Sequence, residues 1–397
     1  MSGSLTVSIV DDDEGMGALL KRITQDMGFS VNVFHDSVIF QNSMAEFSDV
    51  IFLDLMMPGA DGIEVIRSLA NNDCKSSLFL ISGQDKGVLH SAHKLAVERN
   101  LDVIAGLSKP LDVSDLKEKL EAVKMSRQQF KRNQNKTSIS ITPEDLRGGI
   151  LGKQLTLFYQ PQVELSTGNL IGLEALVRWQ HPEHGLIFPD SFIPLAESSG
   201  LIGDLTEEVI RIAINQDLDQ TITALNVPVS INVSAENITS LTLPEQLERQ
   251  LQKNKLDPSK KILEITENAL MSELVTSLDI LTRLRLKGFT LSIDDFGTGF
   301  SSLSQLHRVP FNELKVDRSF VMHMDEDEEA SAIVETCVML GKKLKMKVVA
   351  EGVENQVIYD MLRNMGCDRA QGYHIAKPMP TEMLADWLVD HKLTGHG

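Results

Sequence analysis

The chain has 397 residues, a formal net charge of −18, 42% hydrophobic and 24% charged residues. This length and composition fit two globular domains, each able to bury its own core. So acidic a chain repels phosphates at long range, which argues against general nucleic-acid or membrane-surface binding and means that an anionic ligand needs a local remedy such as bound cations. The first elements alternate: Leu5–Val10 reads as a strand, and Gly17–Met27 as a helix with Leu19, Leu20 and Ile23 at helical spacing. Val31–Phe34, Val50–Leu53, Leu78–Ser82 and Val103–Leu107 read as further strands. Their near-continuous apolar runs suit a parallel sheet covered on both faces, and hence a doubly wound α/β domain over residues 1–124.

From Leu116 the pattern turns helical and then polar. Residues 125–142 include MSRQQFKRNQNKTSIS, which reads either as a linker or as a helix extending from the first domain. Thr142-Pro143-Glu144-Asp145 has the marks of a helix start: a capping hydroxyl, proline at the first helical position, and acids where the dipole favours them. Within residues 143–397 the strand candidates are Leu155–Gln160, Ile171–Val177, Val229–Val233, Ile262–Ile265, Thr290–Ile293, Glu313–Val316, Lys347–Ala350 and Ala370–Gly372. Strands in this number, separated by helical stretches, predict a (β/α)8 barrel. The acidic run Asp325–Glu329 precedes an apolar-periodic stretch and reads as a solvated helix N-terminus.

Cys74, Cys337 and Cys367 are far apart and have no CxxC spacing, which predicts a reduced, cytoplasmic protein. The N-terminus MSGSLTVSIVDDDEG has neither the basic region nor the apolar run of a signal peptide. No stretch approaches the ~20 apolar residues of a membrane helix.

Two sets of residues carry chemistry. In the first domain Asp11, Asp12 and Asp13 follow the first strand, Asp54 ends VIFLD, Ser82 ends LFLIS, and Lys109-Pro110 follows VIAGLS. In a doubly wound sheet all of these lie at the carboxyl edge, where ligands bind. Clustered carboxylates there call for a hard cation, naturally Mg2+. A carboxylate beside Mg2+ and a lysine can attack a phosphoryl donor. One aspartate alone is a turn residue; the ordered set is more specific. This set resembles the response-regulator receiver domain over about residues 4–125. The resemblance implies that Asp11 and Asp12 bind Mg2+, Asp54 is the phospho-acceptor, Ser82 the switch hydroxyl and Lys109 the pocket lysine. It also implies a histidine kinase or phosphotransfer protein as partner. Gly106 stands where the family has its switch aromatic, and the stretch from Ser82 to Lys109 is several residues long, so the usual hydroxyl–aromatic relay is not expected.

In the second domain acids and amides sit where strands stop. Glu174 lies in LEALVRW, Asn232 in INVSA, Glu264 and Glu267 in LEITE, and Asp294 and Asp295 in IDDFGTGFSSL. Lys315 lies in LKVD, Glu351 in AEGVE and Gln371 in AQGY. Barrel enzymes draw their catalytic groups from such strand ends. Converging oxygen ligands without a His or Cys set indicate Mg2+ or Mn2+ rather than zinc. Two such ions can hold a phosphodiester and activate water, and Lys315 can orient that water or neutralise developing charge.

This series resembles the EAL family of cyclic di-GMP phosphodiesterases over about residues 143–395. The resemblance implies a modified barrel with its first strand antiparallel to the rest, and hydrolysis of cyclic di-GMP to linear pGpG. It implies that Glu174, Asn232, Glu264 and Asp294 hold one ion and that Asp294 and Asp295 hold the second. Lys315 then contacts the attacking water, and Glu351 is either a base or a structural partner near the ions. Gln160, Arg178, Asp317 and Gln371 match positions that contact substrate or support the site, and Glu267 matches the anchor of the mobile DFGTGFSSL loop. A homo-oligomer, dimer or tetramer, is expected, with no nucleic acid and no membrane as partner. Two other readings share the residues: a catalytically silent cyclic di-GMP effector, and an adaptor in a phosphorelay. Trp179, Trp387 and the pair His90 and His93 read as packing or surface residues.

Overall fold

The computed structural model describes residues 5–43, 48–72, 74–83, 86–99, 101–134, 141–216, 220–272, 274–298, 306 and 308–393. The chain divides into two compact units, 1–140 and 141–397.

The first unit is built on β1 (Thr6–Val10), β2 (Ser30–Phe34), β3 (Val50–Asp54), β4 (Ser77–Ser82) and β5 (Asp102–Ser108). They form one parallel sheet in the order β2-β1-β3-β4-β5. Every residue of β3 and β4 is buried. Ile51, Leu53, Leu78 and Leu80 enter one core, and Val50, Phe52, Phe79 and Ile81 the other. That two-sided burial is why these strands are apolar throughout instead of alternating. Asp13, Asp36 and Asp61 cap the helices that follow β1, β2 and β3. The strand order reverses between β1 and β3, and the crevice this opens lies at their carboxyl ends. The helix after β5 runs Val113–Gln134, so residues 125–134 are helical.

The second unit opens with a capping box: the Thr142 hydroxyl accepts from the Asp145 N–H, and the Asp145 carboxylate accepts from the Thr142 N–H. Its strands are β6 (Leu155–Glu164), β7 (Leu170–His181), β8 (Gly185–Ile187), β9 (Val229–Asn232) and β10 (Lys261–Thr266). β11 (Thr290–Phe296), β12 (Glu313–Val316), β13 (Lys347–Ala350) and β14 (Arg369–Ala370) complete them. The sheet runs β6-β14-β13-β12-β11-β10-β9-β7-β8, and β6 also pairs with β7, so the ring closes with β8 outside it as a short hairpin partner of β7. β6 is antiparallel to both β7 and β14, while the other neighbours in the ring are parallel. The fold is therefore a closed eight-strand barrel modified at its first strand. Asp327 caps the helix Glu328–Leu344, which accounts for the acidic run before it. Trp179 is fully buried against Phe192 and Gly149, where even an added Cβ would come within 2.7 Å of the indole. Among the described residues no helix is long and apolar enough to cross a membrane, and all three cysteines are buried thiols.

Candidate functional site

The first unit gathers its polar residues at the crevice between β1 and β3. Carboxylate oxygens of Asp11, Asp12 and Asp54 lie within 4.8 Å of one another. Lys109 reaches them from the end of β5, with Nζ 2.7 Å from Asp54 Oδ2 and 3.1 Å from Asp11 Oδ2. Burial raises the Asp11 carboxyl above its usual range, against the pull of the Asp13 N–H and Lys109. Burial works to lower Lys109, but its bonds to Asp54 and Asp11 outweigh it and leave the ammonium firmly charged. Ser82 is buried at the end of β4, in the strand beside Asp54. Gly106 is exposed and has no side chain to swing; an added Cβ would lie 2.9 Å from Leu89 Cγ.

The second unit gathers a larger set at the carboxyl ends of the barrel strands. The ammonium of Lys315, 1% exposed, is surrounded by carboxylates: Glu351 Oε1 at 2.6 Å, Glu264 Oε2 at 2.8 Å, Asp294 Oδ1 at 3.3 Å and Glu174 Oε1 at 3.7 Å. Burial opposes its charge, but the ring of carboxylates raises Lys315 well above the usual lysine range. Asn232 Nδ2 donates to Glu174 at 3.1 Å. Gln371 Nε2 donates to Glu174 at 2.5 Å and to Gln160 Oε1 at 2.9 Å. Against the effect of burial, Lys315, Gln371 and Asn232 hold Glu174 below the usual carboxylate range. Glu264 is pushed well above it, by burial first, and its Oε1 has no hydrogen-bond partner among the described residues. Burial lifts Glu351 to about 8 and Asp295 to about 6.

Adjacent residues of a regular strand point to opposite faces. Asp294 and Asp295 nonetheless bring carboxylate oxygens within 4.8 Å of each other and of Glu351. Two local features allow it: the register of β11 against β12 shifts between Ile293 and Phe296, and Asp295 takes a left-handed backbone at φ 54°. Such a bulge re-aims side chains at barrel rims. The next turn is held from below. Gly297, at φ 103°, donates its N–H to Glu267 Oε2 at 3.3 Å, and the Thr298 hydroxyl donates to the Asp295 carbonyl. Glu267 is 3% exposed at the first position after β10. Gly299, Ser301 and Ser302 of the same loop lie outside the described residues.

Two of the residues matched to substrate contacts, Gln160 and Gln371, lie in the network behind Glu174. Arg178 stands apart from that network, buried between the rings of Phe158 and Phe188 at 5.4 and 5.2 Å from their centroids. Asp317 lies elsewhere: its carboxylate caps the short helix Arg318–Val321 and sits against Asp295, whose carboxyl it helps to raise. Gln162 was not singled out from the sequence, yet its amide donates to Gln371 Oε1 at 2.9 Å. Strand alternation carried the signal, since Gln162 is two residues beyond Gln160 on β6.

The cluster fits hard divalent cations on its own terms. Its donors are oxygens, the Asp294, Asp295 and Glu351 atoms are close enough to share an ion, and Glu264 leaves a buried oxygen unpartnered.

Comparison with known proteins places both units. Residues 143–378 match the model of the EAL domain, and residues 7–121 that of the response regulator receiver domain. The cyclic di-GMP phosphodiesterase RocR of Pseudomonas aeruginosa is 32% identical over 341 residues, 85% of this chain and 86% of RocR. The bifunctional diguanylate cyclase/cyclic di-GMP phosphodiesterase MucR of the same organism is 43% identical over 60% of this chain, which covers 35% of MucR. The chain thus spans about a third of that longer relative. A solved complex of the PaMucR phosphodiesterase with c-di-GMP is 42% identical, with a TM-score of 0.57 over 61% of this chain and 98% of that one. The EAL enzyme Bd1971, bound to cAMP and cyclic-di-GMP, is 30% identical with a TM-score of 0.57 over 70% of this chain and 73% of its own. The chain belongs to the EAL domain family, here preceded by a response regulator receiver domain.

Proposed function

We propose that this chain hydrolyses one phosphodiester bond of cyclic di-GMP to give linear pGpG, and that phosphorylation of Asp54 changes the rate. The observation that carries the reading is the cage of Glu174, Glu264, Asp294 and Glu351 around Lys315, with Asp295 beside it. Named relatives with phosphodiesterase activity support it. Glu174, Asn232, Glu264 and Asp294 would hold one Mg2+ or Mn2+, and Asp294 with Asp295 the other. When bound, the ions supply positive charge to the phosphate and acidify the attacking water. Lys315 orients that water and offsets the charge that develops on phosphorus oxygens. Glu351, 2.6 Å from its ammonium, keeps Lys315 aimed at the mouth. Gln160 and Gln371 support Glu174 from their hydrogen-bond network, Arg178 would contact the dinucleotide, and Asp317 supports Asp295. Water oxygen bonds to phosphorus as one P–O ester bond breaks, and the water proton passes to the leaving oxygen.

The deciding assay incubates the purified chain with cyclic di-GMP and Mg2+, Mn2+ or Ca2+ and separates the products. Turnover to pGpG with Mg2+ or Mn2+, and none with Ca2+, is expected, because Ca2+ coordination is larger and looser. Binding without turnover would turn the reading to a silent effector.

Cation binding should depend on pH. Asp295, a ligand raised to about 6, holds a proton that the cation must displace, and Glu351, raised to about 8 beside it, gives up its proton more readily once the ion's charge is near. Affinity therefore rises with pH through this window and is lost as pH falls below about 6. Calorimetry in two buffers of different ionisation heat should register proton release on binding Mg2+; a flat profile with no release contradicts it.

The receiver pocket makes its own prediction. Acetyl phosphate or beryllofluoride should modify the wild type and not Asp54→Asn, with Mg2+ bound by Asp11 and Asp12. The phosphodiesterase rate should change only in the wild type. Charge added at the sheet edge is the physical cause. Equal rates at matched occupancy would leave the receiver as a docking module for its kinase or phosphotransfer partner.

A further inference from the structure

Two charged side chains inside the barrel belong to neither pocket. Glu313 stands two residues before Lys315 on β12, so strand alternation puts both on the same face. Arg369 stands in the same relation to Gln371, at the start of β14. Across β13, Arg369 Nη1 donates to Glu313 Oε2 at 2.5 Å, with the Glu313 side chain 2% and the Arg369 side chain 20% exposed. The neighbour of Glu313 in register on β11 is Ser292, two residues before Asp294. A second polar level thus lies one step beneath the carboxylate cage. Burial raises the Glu313 carboxyl, and first Arg369 and then Lys315 pull it back, so this carboxylate already feels the lysine above it. The Ser292 hydroxyl beside it pulls the carboxyl down as well.

We propose that Arg369 is a positioning residue for Lys315: it occupies the Glu313 carboxylate, which would otherwise compete with Glu174, Glu264, Asp294 and Glu351 for the lysine ammonium. A buried carboxylate deprived of its cation turns to the nearest other one, because ion pairing strengthens where water is excluded. Lys315 has a flexible stem and three rotatable donors, and so can be drawn down; Arg369 is planar and always charged. Misplacement of a reacting group by ~1 Å costs up to ~100-fold in rate. The inference rests on the reading of Lys315 as the group that orients the attacking water.

The test compares wild type, Arg369→Gln, Glu313→Gln and the double variant Glu313→Gln/Arg369→Gln. Arg369→Gln is expected to lower kcat about tenfold with KM within about twofold, since an interaction made in the transition state is lost. Glu313→Gln and the double variant should both stay within about threefold of wild-type kcat, because neither leaves an uncompensated carboxylate. A pair that merely ties β12 to β14 gives equal losses in all three variants, and that result overturns the proposal. So does wild-type kcat in Arg369→Gln. Mn2+ titration by calorimetry, without nucleotide, should follow the same order, weakest in Arg369→Gln and recovered in the double variant; equal affinities in all four proteins overturn the proposal. If wild type binds Mn2+ but turns nothing over, the hydrolytic reading fails while the order of affinities still decides the role of Arg369.

Discussion

Lys315→Met is expected to lower kcat by about a thousandfold, the scale of losing one preorganised charge-stabilising donor. Its effect on stability is expected to depend on metal. Without Mg2+, the methionine leaves Glu174, Glu264, Asp294 and Glu351 facing one another with the ammonium gone. Breaking a buried pair by removing one partner costs on the order of 3–5 kcal/mol, less whatever the carboxyls recover by taking up protons. Those protons are at hand, because burial already raises Glu351 to about 8. Melting curves should therefore show a metal-free variant well below wild type, most clearly above pH 8. Added Mg2+ should close much of that gap without restoring turnover. A variant with wild-type melting in EDTA at high pH would mean that the lysine is not what balances the cage. One that melts early but keeps its kcat would make Lys315 structural only.

Glu267→Ala should separate activity from stability in the opposite sense. Its carboxylate holds the Gly297 N–H, in a turn that starts at the left-handed Asp295. A hydrogen bond to a charged group contributes ~1.5–3 kcal/mol, set against the cost of ordering a glycine-containing segment. Losing it frees Asp295, and with it the ligand pair Asp294–Asp295 proposed for the second ion. The expected result is kcat lowered by about 10–100-fold, a higher Mg2+ requirement and a small change in melting temperature. Glu267→Gln, which keeps an acceptor without the charge, should fall between. If Glu267 serves only as an acidic residue at the start of its short helix, the ranking reverses: about 1 kcal/mol of stability is lost and the kinetics and Mg2+ titration stay as in wild type.

Much of this architecture was legible in the residues. Two-sided burial makes a strand apolar throughout, which is why VIFLD and LFLIS could be read as central strands of a covered sheet. The strand-end acids were equally readable, since a barrel sends the ends of all its parallel strands to one mouth. What strand alternation could not supply was the meeting of Asp294 with Asp295, which depends on a bulge and a left-handed residue that local sequence does not announce. Asp317 entered only through the family resemblance, and its partners, a helix start and Asp295, are tertiary facts. The Glu313–Arg369 pair was invisible for a simpler reason: its members lie 56 positions apart, and each alone resembles a surface charge.

Gly106 carries a consequence for how the receiver can report its state. A bulky side chain at that point could change rotamer without moving the backbone around it. Here Leu89, from the helix Lys86–Glu98, rests directly on the bare strand, with no room for even a methyl group between them. Strand and helix meet there without an intervening side chain, so a shift of β5 at the Lys109 end would press on Leu89 directly instead of being taken up by a rotamer change. Alanine at position 106 would have to push Leu89 off the strand, whether or not Asp54 is modified.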